Sequence, residues 1–359
     1  MRKSLVKNLQ PGNKLARAVY SSRGALIMPR GIPLVVDQIE RLANTGVEEV
    51  FVEDPRVADI DILEPVGEVT KIKALRVLKE LFDHIRRKEV SGKPLQLDGV
   101  REVIKDIIDE LQFQKSSFIN LLICKHTDNY IHMQALNVTI LSITMAKLAG
   151  FSSNIYDIAL GAFLKDIGMA YLPEELVNRP GPLTDDEQIT LKEHPRLGTE
   201  LINEQPGMSA FTKIIINQHH ERCDGSGYPL GLKDKTTHNL AKLVAIADSY
   251  CALVSYRPYR EKLSPNEAIE LVMSNAGFEF DHNLVDHFTK CTVPYPIGTM
   301  VKLTTGETGM VVNLGKSIPT RPIVRIFTDS QGQEVEPCYE INLMDPVHQT
   351  KLIDGVLDE

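Results

Sequence analysis

Residues 219–229, HHERCDGSGYP, decide how the rest of the chain is read. Two adjacent imidazoles end the apolar and amide run IIINQ (214–218). A turn-forming segment with Gly225, Gly227 and Pro229 follows at once. A lone histidine in such a place is ordinarily a satisfied core or surface side chain, and the glycines and proline are what any tight turn requires. A histidine pair becomes metal chemistry only if carboxylates and further imidazoles reach it from other helices. The chain offers such groups: Asp166 in GAFLKDIGMAYLP (161–173), His194 in KEHP (192–195) and Asp248 in ADSYCALVSYRPYR (247–260).

Around these residues the sequence is helical. From about 98 to 290 one segment after another carries the three- and four-residue apolar spacing of amphipathic helices, including GVREVIKDIIDELQ, ALNVTILSITMAKLA, NIYDIALGAFLKDIG and HNLAKLVAIADSYCALV. Thr184 and Ser264 stand before acidic first turns as N-caps, and Pro265 suits a first helical position. Residues 1–65 mix short strands with one helix, VVDQIERLANTG, closed by Gly46, and read as a small α+β module. KIKALRVLKELFDHIRRKEV, within 66–97, reads as a helical connector; it lacks the sustained heptads of a coiled coil, the other reading being a homodimer contact. Beyond CTVPYP the texture changes to alternating apolar and polar residues between glycine turns, the mark of a small β domain over 292–359. The expected fold class is therefore mainly α, a helical bundle over 98–291 with an α+β module before it and a β-rich domain after it.

The 359 residues carry a formal charge of −8, which argues against a general binder of nucleic-acid polymers or anionic membranes. No apolar run approaches the length of a membrane span, and the basic start MRKSLVKNLQPGNKL lacks the apolar core of a signal peptide. Five dispersed cysteines with no C-x-x-C pair fit a reducing compartment, so the expected location is the cytoplasm.

HHERCDGSGYP followed by ADSYCALVSYRPYR strongly resembles the HD-GYP subgroup of HD-domain phosphohydrolases, with further matches in DIG (166–168), LVNRPGPLTDDEQITLKEHP and FDHNLV. The resemblance covers roughly 120–290, and its long ordered motif string makes it specific. It implies an all-helical core with a two- or three-metal centre, commonly iron or manganese, that hydrolyses cyclic di-GMP or a related cyclic dinucleotide. Position by position it implies metal ligands at Asp166, His194, His219, His220 and Asp248. It places Tyr228 of the GYP signature, Arg257 and Arg260 near the substrate, with the GYP loop also available to a signalling protein.

Three departures stand out. Gln134 replaces a family histidine on the first helix, Lys165 replaces the HD histidine, and Met169 replaces the lysine of DIGK. An ammonium has three donors and no lone pair, so Lys165 cannot ligate a metal while charged. Two readings follow: a single divalent ion, iron or manganese, held by Asp166, His194, His219 and His220, or, the preferred one, a metal-free pocket in which Lys165 neutralises Asp166 and Asp248. Lys165 and Met169 are one helical turn apart, i and i+4, on the same face, so Lys165 is also expected to reach toward a bound phosphate. The preferred expectation is a degenerate member that senses cyclic di-GMP or docks a partner. The alternative is an active phosphodiesterase with an altered centre.

Overall fold

A computed structural model describes residues 1–20, 26–47, 49–60, 62, 64–87, 95–112, 130–177, 179, 181–255, 263–315 and 318–357. Two helices are apolar on every face: α4 (Tyr130–Leu148) and α10 (Asn239–Val254). Such helices have no side to show to water and must lie in the middle of a bundle. They pack on one another there. Polar residues at their centres, Gln134 and Asp248 among them, are carried into the interior.

The remaining helices are layered around this pair: α2 (Glu68–Arg86), α3 (Asp98–Gln112), α5 (Ile155–Leu164), α6 (Glu174–Val177), α7 (Asp185–Leu191), α8 (His194–Asn203), α9 (Ala210–Gln218), α11 (Pro265–Ser274) and α12 (His282–Cys291). α2 buries Ala74, Leu78, Leu81, Phe82 and Ile85 in the same core as α3 and α4. It forms a layer of the bundle, packed on its neighbours. Thr184 and Ser264 form the expected caps: the hydroxyls accept from the Glu187 and Glu267 amides, and both glutamates reach back to the cap amides.

The N-terminal module pairs β1 (Arg2–Leu5) antiparallel with β4 (Glu49–Val52) and β2 (Val19–Tyr20) with β3 (Leu26–Met28). Its single long helix, α1 (Val36–Asn44), is followed by Gly46 in the left-handed region at φ +72°. The C-terminal domain is a five-stranded antiparallel sheet, in the order β8-β7-β6-β5-β9. Its strands are β5 (Met300–Leu303), β6 (Thr308–Asn313), β7 (Ile323–Thr328), β8 (Glu334–Asn342) and β9 (Ile353–Val356). The two ends of the chain meet. Val57 and Ile60 pack on Met300, Met310, Val312 and Phe327, while Arg325 grips Asp59 through two hydrogen bonds of 2.6 and 2.7 Å. Among the described residues no helix is long and apolar enough to cross a membrane.

Candidate metal centre

α5 does not run through Lys165. It ends at Leu164, and Ile167–Tyr171 tightens into a 3-10 turn. Gly168 in this turn allows a close approach: a Cβ there would lie 2.0 Å from the His194 carbonyl oxygen and 2.6 Å from the Gly198 nitrogen. The turn thus lies directly on the first turn of α8, and this contact brings Asp166 up to His194. The helical relation expected between Lys165 and Met169 does not hold, because the chain leaves the α-helix between them. Met169 packs half-buried against the helical core.

His194 opens α8, while His219 and His220 close α9. The Nδ1 atoms of His194 and His219 lie 2.8 Å from the carbonyls of Leu191 and Ile216. A carbonyl only accepts, so Nδ1 carries the proton in both rings. The Nε2 atoms face inward. They stand 3.4 Å from one another, and 3.3 Å (His194) and 3.6 Å (His219) from Asp166 Oδ1. In the neutral rings, three lone-pair atoms converge with no donor among them. A ring nitrogen of His220 also falls within 4.8 Å of this set. The donor set fits a divalent transition ion bound by imidazole and carboxylate.

The other oxygen of Asp166 serves a different partner. Lys165, 1% exposed, hydrogen-bonds Asp166 Oδ2 through its ammonium and lies 2.8 Å from Asp248 Oδ1. Gln134 donates its amide to the same Asp248 oxygen at 2.9 Å. Burial works against the charge on Lys165, but the two carboxylates outweigh it and hold the ammonium above its ordinary range. Burial would likewise raise Asp166 and Asp248; the Lys165 charge overrides it and holds both below the usual carboxylate range. Burial pushes His219 and, more strongly, His220 toward the neutral form, in which a ring nitrogen is free to bind a cation.

Asp166, His194, His219 and His220 therefore come together at one corner. Asp248 adjoins it as the partner of Lys165 and Gln134, with His220 Nδ1 3.7 Å from its second oxygen. Tyr228 stacks on His220 at 4.5 Å between ring centroids, and the Lys192 ammonium lies 5.6 Å from the tyrosine ring. The Lys165 ammonium is committed to two carboxylates, so a phosphate would have to displace one of them to reach it. Arg257 and Arg260 lie outside the described residues, as does His126. His132 faces the Phe82 ring edge-on at 5.0 Å, away from the cluster, and His238 caps α10 by accepting from the Leu240 amide.

Sequence reasoning passed over Glu221. Its buried carboxylate accepts from the Leu230 and Leu232 amides, each at 2.8 Å, and folds the glycine-rich loop back over the histidines. The available signal was an acid next to HH and ahead of a loop whose amides need acceptors. Gly227 completes that loop, since a Cβ there would meet the Arg222 nitrogen at 2.4 Å.

The sequence model of a family described as an HD domain matches residues 118–284, and one described as a KOW domain associated with HD domain matches 300–359. The chain is 31% identical over 244 residues to a cyclic di-GMP phosphodiesterase of Pseudomonas aeruginosa, covering 66% of this chain and 58% of that protein. It is 30% identical over 241 residues to a cyclic di-GMP phosphodiesterase of Thermotoga maritima, covering 65% of each. It thus spans less than two thirds of either relative. An HDG"Y"P protein from Bdellovibrio bacteriovorus aligns over 80% of this chain and 97% of its own, with a TM-score of 0.45 and 17% identity. Residues 118–284 are thus an HD domain by their match to that family, and the HH…GYP string lies within it, folded around the imidazole–carboxylate cluster.

Proposed function

We propose that this chain is a cyclic-dinucleotide signalling protein whose HD-GYP centre has been converted from a phosphodiesterase into a binding site with lost or weak hydrolysis. One observation carries the reading: the Lys165 ammonium stands between Asp166 and Asp248, on the carboxylate face opposite the three converging lone pairs. Hydrolysis by paired ions relies on two cations to clamp the entering and leaving oxygens. An ammonium hydrogen-bonded to two carboxylates can offer charge, but it has no open coordination position.

In this reading Asp166, His194, His219 and His220 hold one divalent ion, iron or manganese. Such an ion, when bound, supplies Lewis-acid polarisation of a phosphodiester oxygen. Tyr228, stacked on His220, serves a base of a cyclic dinucleotide such as cyclic di-GMP, and Arg257 and Arg260 serve the phosphates. Asp248 acts through Lys165. The loop carrying Tyr228 is also the surface on which a signalling protein would dock. The relatives named as cyclic di-GMP phosphodiesterases support the ligand class. A second reading, slow hydrolysis by a one-ion centre, draws on the intact Asp166–His194–His219 corner.

The test is an anaerobic incubation of the full chain with cyclic di-GMP and added Mn²⁺ or Fe²⁺, following pGpG and GMP by chromatography and binding by calorimetry. Binding without turnover is the expected result. Metal-dependent turnover lost in His219→Ala would establish the second reading, and no binding would leave neither.

A further inference from the structure

The two oxygens of Asp166 face surroundings of opposite kind. Around Oδ1 the described residues offer acceptors: the Nε2 atoms of His194 and His219, both with Nδ1 committed to backbone carbonyls. Around Oδ2, and around the Asp248 Oδ1 beside it, the described residues offer donors: the Lys165 ammonium and the Gln134 amide. Acceptors converging on a point attract a cation, whereas donors converging on a point repel one. Asp166 thus bridges two cation positions, and one of them is already filled by the protein itself.

We propose that Lys165 is a resident cation that takes the place of a second metal ion, so that this centre holds one divalent ion and no more. Charge supports the count. Asp166 and Asp248 contribute two negative charges and Lys165 one positive, so one divalent ion leaves the buried centre at +1, the right sign for a phosphodiester. A second would leave these groups at +3, and the neighbouring buried carboxylate of Glu221 is already committed to the Leu230 and Leu232 amides. Gln134 completes the arrangement. Its amide adds a second donor to the Asp248 oxygen that Lys165 already holds, so that oxygen faces donors and not a metal. The inference rests on the reading of the histidine corner as a metal site. It does not depend on the ligand being a cyclic dinucleotide, so a nucleotide that fails to bind leaves it standing.

The experiment is a metal count on the full-length chain, stripped with chelator, titrated with Mn²⁺ and desalted, using elemental mass spectrometry and the Mn²⁺ electron paramagnetic resonance spectrum. Wild type is expected to keep one equivalent with the spectrum of an isolated ion, and His194→Ala to lose it. Lys165→His removes the ammonium and adds a lone pair, and is expected to keep two equivalents with the broadened spectrum of coupled ions. Two equivalents in wild type, none in wild type, or one in Lys165→His overturns the proposal. Should Lys165→His not fold, the double variant Lys165→Met/Asp248→Asn deletes the ammonium together with the carboxylate that would recruit a replacement. One equivalent there supports the proposal, and two or none overturns it.

Discussion

Replacing Lys165 by methionine tests the energetic side of the same arrangement. Methionine fills nearly the same volume, so little cavity cost enters. What changes is charge: Asp166 and Asp248 are left buried with no cation between them in the metal-free protein. At 2.8 Å and an effective dielectric constant of about 20, a single ammonium–carboxylate contact has a gross Coulomb energy of about 6 kcal/mol, much of it cancelled by desolvation. Removing one partner of a buried pair costs about 3–5 kcal/mol, because the other is stranded. Lys165→Met should therefore lose at least about 3 kcal/mol in urea unfolding at pH 7 in the presence of chelator. Adding Asp248→Asn to that variant should recover part of the loss, since one stranded carboxylate disappears; Asp248→Asn alone should be destabilising, because it weakens the hold on Lys165. A loss below about 1 kcal/mol for Lys165→Met, the size of an exposed ion pair, would refute the idea that the ammonium is structurally required.

Two further outcomes follow from the packing. Gly168→Ala sets a methyl group 2.0 Å from the His194 carbonyl oxygen, a backbone atom that cannot rotate away. It should cost at least about 1–3 kcal/mol and weaken Mn²⁺ retention by moving α8 off Asp166; a variant wild-type in both urea unfolding and metal retention contradicts this. His132 is pushed down to about 4, by burial first and then by Lys79 and Arg86, so it is neutral in the folded state and titrates near 6.5 when unfolded. Its contribution is fully present above about pH 6.5 and is lost as pH falls toward 4, amounting to about 2 kcal/mol by pH 5. His132→Phe should flatten the stability profile between pH 7.5 and 5 by that amount, and superimposable profiles would show that His132 is not the group responsible.

Much of the architecture was legible in the sequence because it rests on local rules. The apolar periodicities mark the helices, Thr184 and Ser264 with their glutamates three residues on mark two helix starts, and alternation between glycine turns marks the terminal sheet. The convergence of Asp166, His194, His219 and His220 also followed from the sequence, through the resemblance of their motifs. Other features depend on contacts between distant segments. The chain leaves α5 at Leu164 and passes into a 3-10 turn whose Gly168 lies against α8, a contact that apolar periodicity does not encode, so a periodic reading carried the helix on and paired Lys165 with Met169. The clamp of Glu221 on the loop exists only once that loop has folded back, and the grip of Arg325 on Asp59 joins opposite ends of the chain.

The sequence by itself determined that a lysine stands where a ligand was expected, and that a charged ammonium cannot bind metal. Only the tertiary structure decided what the lysine does instead. α4, α5 and α10 bring Gln134, Lys165 and Asp248 to one point, and a buried charge takes whatever partner the packing delivers.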